Sequence, residues 1–446
     1  MSSGHSSGER DKVLAELSLL HPKKIDLGLS RIESVLEKLG RPQDRLPPII
    51  HVAGTNGKGS TIAFLRAMAE AQGLTCHVYI SPHLVEFNER ITLASKPIEN
   101  DRLIEVIGRV RAANGSAPLS FFEAITAAAL LAFSEVRADL AIIEVGLGGR
   151  YDATNVITPI MSAITPVDYD HAEFLGRDLA GIAREKAGII KPHIPVILGR
   201  QLAVAAQAIG ECAQNQSAPC SVSGEDFHIH REQGRLVFED SHALMDLPLP
   251  ALIGEHQIEN AGQAIAIAKA LQFSDKAIAK GLGTAIWPGR MQPLGEGYLA
   301  DIVINRGGEL WLDGGHNPHA ARALASVMAE REALQSRPLI LVMGILSNKD
   351  AGGFLDAFSG LASGLIAVEI EGHAALGRKT LCELAAYRGM DTHMALGLTD
   401  GLDAALNMGE GVLAHKQTAQ DGHGPRILIC GSLYLAGQVL ALNAKS

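Results

Sequence analysis

A nine-residue stretch, A-G-T-N-G-K-G-S-T at 53–61, carries the residue types of a phosphate-binding turn. Backbone N–H groups of a glycine-rich turn and of the following helix can point at an anion, Lys58 can add a positive charge, and the Ser60 hydroxyl can ligate Mg²⁺. The spacing departs from the common G-x-x-x-x-G-K-[ST] loop, because Gly59 separates Lys58 from Ser60 and Val52 stands at the first glycine. The stretch predicts a nucleotide site in a variant form; a glycine-rich turn without a ligand is the alternative.

A second candidate is Glu144, which ends the apolar run D-L-A-I-I-E and precedes a glycine-rich loop. An acid at the end of a core strand is costly unless it is paired or bound to a metal. Glu144 is therefore well placed to hold the Mg²⁺ of a nucleotide, and a strand-end acid facing solvent is the alternative. The loop at 146–149 is not the dinucleotide-binding G-x-G-x-x-G pattern, because Tyr151 occupies the place of the third glycine.

Four weaker signals lie near the ends of other predicted elements. They are S-P-H-L at 81–84, D-Y-D-H at 168–171, R-E-K-A-G-I at 184–189 and W-L-D-G-G-H-N-P-H at 311–319. Each has an ordinary structural alternative: a proline turn, a solvated loop, a surface helix and a capped turn. Because ligands of parallel sheets bind at the carboxyl ends of strands, the signals together favour a site more than each does alone.

Apolar runs of strand length alternate with longer amphipathic stretches, which favours parallel sheets covered by helices. The first part of the chain predicts strands at 49–53, 77–80, 139–145, 160–165 and 196–198, helices at 58–72, 121–136, 178–188, 257–271 and 274–285, and a hairpin at 227–240. A Pro/Gly-rich stretch at 287–297 is a linker candidate. Beyond it we expect strands near Ile302 and Leu310 and at 339–343, 365–368 and 427–430, with helices at 318–331, 379–387 and 399–408.

The predicted fold is therefore α/β with two domains. An N-terminal P-loop-type, mostly parallel sheet with helices on both faces is expected in residues 1–291. A smaller C-terminal Rossmann-like α/β domain is expected in residues 298–446.

The composition restricts the class of protein. The chain has 446 residues, 47% hydrophobic and 20% charged, as in globular proteins of two or three domains. Its net charge of −10 argues against a nucleic-acid surface. Five scattered cysteines without C-x-x-C argue against a disulfide framework or a structural zinc site, and no run approaches the about 18 apolar residues of a membrane span. Residues 1–10 are Ser/Gly-rich and lack a signal sequence. We expect a cytoplasmic protein that binds neither nucleic acid nor membrane.

Together, the motifs resemble those of the bifunctional dihydrofolate synthase/folylpolyglutamate synthase family of the Mur ligase superfamily, whose members use G-T-N-G-K-G-[ST] in place of the ordinary P-loop. The resemblance runs from I-D-L-G-L at 25–29 to C-G-S at 430–432. Further landmarks are 54–60, 81–84, 120–123, 144–155, 170–171, 185–189, 288–290, 313–319 and 344–350. It implies a first domain of the Mur ligase central-domain type, which binds ATP and the pterin, and a C-terminal ligase domain.

The resemblance also implies the site residues. The ATP-binding residues are Thr55, Asn56, Gly57, Lys58, Gly59, Asn260, Arg290, Asp313 and His316. Two Mg²⁺ ions are implied, one held by Ser60, Ser81 and Glu144 and the other by Glu144, His171 and a carbamylated Lys186. The pterin substrate is held by Ile25, Asp26, Leu27, Ser120, Phe121, Phe122, Glu123, Tyr151, Asp152 and Ala153. The catalytic residues are Lys58, His171, Lys186 and Arg290.

The implied reaction is ATP-dependent joining of L-glutamate to dihydropteroate, giving dihydrofolate, and to reduced folates, through an acyl phosphate. We expect a monomer that acts on small molecules. The alternatives are a folylpolyglutamate synthase only, another Mur-type amino-acid ligase, a P-loop kinase or NTPase, and a non-catalytic nucleotide-binding regulator. A P-loop kinase or NTPase would lack the metal-binding His171 and Lys186 and would not need a pterin site. A regulator would have no use for Glu144, His171 and Lys186 together, and the segment at 25–29 argues against the peptidoglycan branch.

Overall fold

The computed structural model of the chain describes residues 3–19, 28–170, 172–416 and 423–445. The chain divides into two compact units. The first comprises the residues up to Ala251 together with Ile258–Ala285, and the second comprises Leu252–Gln257 and the residues from Ile286 onward. Of the predicted site residues, Ile25, Asp26, Leu27 and His171 lie outside the described residues.

Among the described residues, the first unit contains an eight-stranded sheet. Its strands are β1 (Ile49–Ala53), β2 (Cys76–Tyr79), β3 (Ile91–Leu93), β4 (Lys96–Pro97), β5 (Leu140–Glu144), β6 (Met161–Ile164), β7 (Val196–Leu198) and β8 (Cys220–Val222). They are arranged in the order β4-β3-β2-β5-β1-β6-β7-β8, and only the pairs β2–β3 and β3–β4 are antiparallel. Every residue of β1, β5 and β6 is buried. Because successive strand residues point to opposite faces, both faces of the sheet centre are covered.

Helices supply that cover. The described helices up to residue 284 are α1 (Ser3–Leu19), α2 (Ser30–Lys38), α3 (Lys58–Ala71), α4 (Asn100–Asn114), α5 (Phe121–Glu135), α6 (Ala172–Leu175), α7 (Leu179–Lys186), α8 (Ala203–Asn215), α9 (Glu255–Ala270) and α10 (Asp275–Thr284), and not all of them contact the sheet. One buried apolar cluster joins α2, α4 and α5 to β1 and β5, and another joins α7 and α8 to β6 and β7. The strands and helices predicted for this part of the chain are confirmed, with ends that differ by at most two residues.

A small antiparallel sheet follows, made of β9 (Phe227–Glu232), β10 (Arg235–Asp240) and β11 (Leu244–Leu247). The predicted hairpin at 227–240 is confirmed. Gln233 and Gly234 both have positive φ, at 47° and 78°, as a tight two-residue hairpin turn requires. The short third strand β11 was not predicted.

The second unit is built on another sheet. Its strands are β12 (Gln292–Pro293), β13 (Glu309–Leu312), β14 (Leu339–Met343), β15 (Ala362–Ala367), β16 (Asp391–Met394) and β17 (Arg426–Cys430), and its helices are α11 (Tyr298–Ile304), α12 (Pro318–Leu334), α13 (Ala351–Asp356), α14 (Arg378–Ala386), α15 (Leu398–Lys416) and α16 (Leu433–Asn443). The strand order is β12-β13-β17-β14-β15-β16, and among the described strands of this sheet β12 alone pairs antiparallel. The expected Rossmann-like α/β class is confirmed.

Two predictions for the second unit are wrong in detail. The strand expected near Ile302 is helix α11, which begins after Gly297 and whose Leu299 and Ala300 N–H groups donate to Asn443 Oδ1 at 3.0 Å. The linker expected at 287–297 is a packed part of the unit, because Met291 is fully buried and β12 pairs with β13. Within the described residues, no helix is long and apolar enough to cross a membrane.

Candidate active site

The predicted phosphate turn lies between β1 and α3. Gly57, with φ of +87°, precedes the first residue of the helix, Lys58. A Cβ at Gly57 would overlap Oδ1 of Asn260, which therefore lies directly against the turn. The first N–H groups of a helix have no partner inside it, so the start of α3 can receive an anion. Lys58 Nζ reaches back to the carbonyl oxygens of Gly54 and Thr55, at 3.1 and 3.3 Å.

The front of this turn is fixed to the segment that follows β6. The N–H groups of Thr55 and Asn56 both donate to the Pro166 carbonyl, at 3.0 and 3.3 Å. The Thr55 hydroxyl donates to the carbonyl of Asp168 at 3.0 Å and accepts its N–H at 3.1 Å. These hydrogen bonds fix the conformation of the turn, and they use the N–H groups of Thr55 and Asn56. Contacts of Thr55 and Asn56 with phosphate therefore stay predictions.

Glu144 lies at the carboxyl end of β5, next to the turn. It is only 6% exposed. Its Oε2 accepts the Ser81 N–H at 3.0 Å, and its Oε1 is 3.9 Å from Lys58 Nζ. The alternative of a strand-end acid facing solvent is therefore wrong. The Glu144 carboxylate thus lies close to both the turn after β2, which contains Ser81, and the start of α3.

Lys186, the last residue of α7, reaches the same place. It is 5% exposed, and its Nζ donates to the Gly54 carbonyl at 3.0 Å. The alternative of a surface lysine is therefore wrong. Burial, and then the nearby positive charge of Lys58, lower the pKa of Lys186 to about 7. A large fraction of its amine is consequently neutral near physiological pH.

The glycine-rich loop after Glu144 positions Lys186. A Cβ at Gly149 would lie 2.6 Å from the Lys186 carbonyl oxygen and 2.8 Å from that of Glu185. The Arg150 N–H donates to the Glu185 carbonyl at 2.8 Å. Because only glycine permits this close approach, the loop fixes the end of α7.

Replacement of Gly149 by alanine is therefore expected to displace Lys186. We expect a loss of about 1–3 kcal/mol of stability, as for other overpacked sites, and a lower ligase turnover. Gly210→Ala on α8 is the matched control, because its Cβ would meet nothing within 4 Å and alanine favours a helix. Thermal unfolding and turnover of both variants test this, and equal behaviour of the two would contradict it.

The predicted metal ligands that are described suit a hard divalent cation. Glu144 offers a buried carboxylate, and Ser60 and Ser81 can offer hydroxyl oxygens, the donor type that Mg²⁺ prefers. Within the described part of the chain, no group of three or more His, Cys, Asp or Glu side chains is arranged to hold a metal.

The predicted substrate residues at the start of α5 form a capped helix end. Ser120 Oγ accepts the Glu123 N–H at 3.2 Å, while Glu123 Oε2 accepts the Ser120 N–H at 2.7 Å. Arg31 Nε contacts both Glu123 oxygens, at 3.1 and 3.2 Å. The S-x-x-E spacing indicates the cap, but no sequence pattern identifies Arg31 as the partner of the buried acid.

The neighbouring aromatic side chains pack around this end of α5. The ring of Phe122 lies so close to Gly146 that a Cβ there would overlap it, and its centroid is 6.1 Å from that of Tyr79. Phe121 packs edge-on against Phe87 at 6.0 Å. The predicted substrate segment is thereby placed beside the loop that follows Glu144.

The other predicted substrate residues differ in exposure. Tyr151 is 46% exposed, whereas Asp152 and Ala153 are buried. The Asp152 carboxylate accepts N–H groups of Gly146 at 3.1 Å, Leu147 at 2.9 Å and Thr154 at 3.0 Å. Burial raises the pKa of Asp152 despite these bonds. Its carboxylate therefore also holds the glycine-rich loop in place.

In the second unit, three predicted ATP-binding residues lie close to the carboxyl end of β13. Asp313 is buried, and its oxygens accept the N–H groups of Met291 at 2.7 Å and Gly315 at 2.6 Å. Burial raises its pKa, and the charge of Arg290 partly offsets this. His316 Nδ1 is 2.9 Å from the Gly314 carbonyl oxygen.

Comparison with known proteins assigns the family. Residues 52–268 match the Mur ligase middle domain, and residues 299–442 match the dihydrofolate synthetase C-terminal domain. The chain is similar to the dihydrofolate synthase/folylpolyglutamate synthase of Escherichia coli, at 32% identity over 96% of this chain and 94% of that protein. The chain belongs to the dihydrofolate synthase/folylpolyglutamate synthase family. The predicted family is therefore confirmed, and so is the class of ATP-dependent ligase.

Solved structures of this family share the fold of the chain. Escherichia coli FolC in complex with DHPP and ADP has a TM-score of 0.84 at 31% identity, covering 97% of both chains. A bifunctional folylpolyglutamate synthase/dihydrofolate synthase with Mn, AMPPNP and L-glutamate bound has a TM-score of 0.79 at 30% identity and covers 97% of both chains. Members of the family thus bind a nucleotide, a divalent metal and small-molecule substrates.

Proposed function

We propose that the chain joins L-glutamate to dihydropteroate, giving dihydrofolate, and to reduced folates, lengthening their glutamate tail. The observation that carries this is that Lys58 and the buried Lys186 both donate to the Gly54 carbonyl, while Lys58 Nζ lies 3.9 Å from the buried carboxylate of Glu144. A phosphate turn needs only Lys58. A second, buried lysine at the same carbonyl suits a ligase that must also neutralise the charge of a phosphorylated carboxylate.

The reaction proceeds in two steps. The carboxylate of the acceptor attacks the γ-phosphorus of ATP, and ADP leaves, giving an acyl phosphate. The amine of L-glutamate then attacks the acyl carbon, inorganic phosphate leaves and the amine loses a proton. The protein aligns the reactants and stabilises charge, for which Lys58 and Arg290 are the proposed groups.

The proposed ATP ligands are the turn residues Thr55, Asn56, Gly57, Lys58 and Gly59, together with Asn260, Arg290, Asp313 and His316. We propose that residues 1–291 bind ATP and the pterin and that residues 298–446 form a ligase domain.

Two Mg²⁺ ions are part of the proposal. Ser60, Ser81 and Glu144 would hold the first, and Glu144, His171 and a carbamylated Lys186 the second. When bound, the ions would neutralise charge on the phosphates. The protein supplies the oxygen donors and the burial that keeps water from them.

Substrate binding is proposed for the two segments beside the loop after Glu144. They are Ser120–Glu123 and Tyr151–Ala153, with Ile25, Asp26 and Leu27 as further contacts. Arg31 would keep Glu123, and with it the start of α5, in position. We also propose a cytoplasmic monomer that binds no nucleic acid, in keeping with the net charge of −10 and five unpaired cysteines.

ADP release tests the proposal. With ATP, Mg²⁺ and L-glutamate present, we expect ADP release on addition of dihydropteroate and, separately, of a reduced folate, because both offer a carboxylate to one site. Response to the folate alone would indicate a folylpolyglutamate synthase only. Response to neither, or to D-glutamate in place of L-glutamate, would contradict the proposal.

A further inference from the structure

His51 lies on β1, just before the phosphate turn, and the reaction above does not use it. The residue is fully buried, and its Nε2 is 2.9 Å from the hydroxyl oxygen of Thr154, which is also fully buried. The Thr154 hydroxyl in turn donates to Oδ1 of Asp152 at 2.5 Å. Three buried side chains are therefore linked by hydrogen bonds, and we refer to them as the His51–Thr154–Asp152 network.

The network ends at the glycine-rich loop that follows Glu144. Oδ2 of Asp152 accepts the N–H groups of Gly146 and Leu147, at 3.1 and 2.9 Å, and the Asp152 N–H donates to the Gly149 carbonyl at 3.2 Å. A Cβ at Gly146 would overlap the ring of Phe122, and a Cβ at Gly149 would overlap the end of α7. The network thus holds a loop that touches both the predicted substrate segment and the helix that ends in the buried lysine.

The hydrogen bonds also fix the position of the imidazole proton. Because the Thr154 hydroxyl gives its proton to Asp152, its oxygen can only accept from His51, so the proton of the ring lies on Nε2. Burial, and then the positive charge of Lys191, lower the pKa of His51 to about 3, so the ring is neutral and carries no second proton.

This arrangement explains the one ring atom that has no partner. Nδ1 of His51 is buried without a hydrogen bond among the described residues. With the proton on Nε2, Nδ1 is an acceptor, and an unmet buried acceptor is less rare than an unmet buried N–H. The opposite direction, with a proton passed from Asp152 to Thr154 and from Thr154 to the ring, would leave a buried Nδ1–H without an acceptor.

We propose that His51 and Thr154 are positioning residues of the ligase, which hold the loop at 146–149 in the conformation that the acceptor substrate requires. The inference rests on the proposed function, which assigns residues 120–123 and 151–153 to the acceptor. The Asp152 carboxylate accepts four hydrogen bonds, two at each oxygen, which is about the number that a carboxylate can accept. It therefore acts on the substrate through the loop and not by direct contact.

Two substitutions of Thr154 test the proposal. Thr154→Val removes the hydroxyl group with little change of shape, whereas Thr154→Ser keeps it. We expect the KM for dihydropteroate to rise about tenfold in the valine variant, as for loss of one hydrogen bond, and to stay within threefold of wild type in the serine variant. The dissociation constant for ADP, measured by calorimetry, should stay within threefold in both, because the network does not contact the phosphate turn.

Thr284→Val is the matched control. Thr284 is exposed at the end of α10, and its hydroxyl donates to the carbonyl of Lys280 in the same helix at 2.9 Å. Its loss should leave both constants unchanged. A role in stability alone would lower the melting temperature of Thr154→Val without raising the KM of the folded protein for one substrate.

The loop can be followed without any ligand. Hydrogen exchange, measured by mass spectrometry on the peptide that contains Gly146 and Leu147, should be about tenfold faster in Thr154→Val than in Thr154→Ser or Thr284→Val, because these N–H groups lose a fixed acceptor. Equal exchange in the three variants would overturn the inference.

The position of the proton is a further readout. In a nitrogen-15 correlation spectrum of the labelled protein at pH 7, the His51 signals are those that shift in Thr154→Val and not in Thr284→Val. They should report a neutral ring protonated at Nε2. A proton on Nδ1, a doubly protonated ring, or no histidine that responds to Thr154→Val would overturn the inference.

Failure of this inference differs from failure of the proposed function. If wild type converts dihydropteroate but its KM is the same in Thr154→Val, the positioning role is overturned and the proposed function stands. If wild type releases no ADP with dihydropteroate or a reduced folate, the proposed function fails, and with it the assignment of the network to the acceptor.

Discussion

Replacement of Lys58 by alanine is expected to abolish ADP release with either acceptor while leaving the fold intact. The Lys58 ammonium lies between the glycine turn and Glu144. At the start of α3, it can stabilise the negative charge that develops on a phosphate. Loss of one group that stabilises transition-state charge reduces turnover by about 10²–10³-fold. The fold should survive because the Lys58 ammonium contacts carbonyls of its own turn, which water can satisfy.

Steady-state turnover and thermal unfolding of Lys58→Ala, measured together, check this expectation. Lys379→Ala is the matched control, since that lysine is 83% exposed and lies 3.9 Å from its nearest acidic partner, Glu383. Its turnover should equal that of wild type. Turnover of Lys58→Ala within a few-fold of the control would remove the glycine turn from the mechanism.

Lys186→Ala, Lys186→Arg and Lys186→Met are all expected to lose most activity, because we propose that Lys186 acts as a carbamate. Its neutral amine would attack the carbon of CO₂, a proton would be released to solvent, and the side chain would become an anion with two oxygens. An ammonium has no lone pair for a metal, whereas carboxylate-like oxygens suit Mg²⁺. The lowered pKa of Lys186 favours the neutral amine that this step requires.

Activity should also depend on CO₂ and pH. After CO₂ is removed, added bicarbonate should restore turnover more fully at pH 8 than at pH 6, since the amine is mostly neutral above a pKa of about 7 and mostly protonated below it. A small carboxylate in the buffer is expected to restore part of the activity of Lys186→Ala and none of that of Lys186→Met, which fills the same space. If Lys186→Arg keeps activity within a few-fold of wild type, the carbamate is excluded.

The parts of the fold that follow from sequence are those with a strong local pattern. The apolar runs of β1, β5 and β14 are buried at every position, so hydrophobicity alone predicts them. The run around Ile302 has the same character, yet it forms α11, because Asn443 from the far end of the chain caps the first turn. A contact between residues so distant in sequence leaves no local signal.

The same limit applies to the site. The glycine turn, Glu144 and Lys186 could be predicted because each stands in a recognisable motif. That both lysines reach one carbonyl, that of Gly54, could not be predicted, since it depends on how α7 packs against the loop at Gly149. Arg31 was missed for a similar reason: its partner Glu123 lies 92 residues away.

The most direct test of the central claim, that the chain activates a carboxylate with ATP and then joins it to glutamate, follows oxygen atoms. Dihydropteroate labelled with ¹⁸O in its carboxylate would be incubated with the chain, ATP, Mg²⁺ and L-glutamate, and the released phosphate analysed by mass spectrometry. Attack of the carboxylate on the γ-phosphorus predicts one labelled oxygen in each phosphate formed, in step with dihydrofolate. Unlabelled phosphate accompanying product would contradict the acyl-phosphate route, and labelled phosphate without an amide product would contradict ligation.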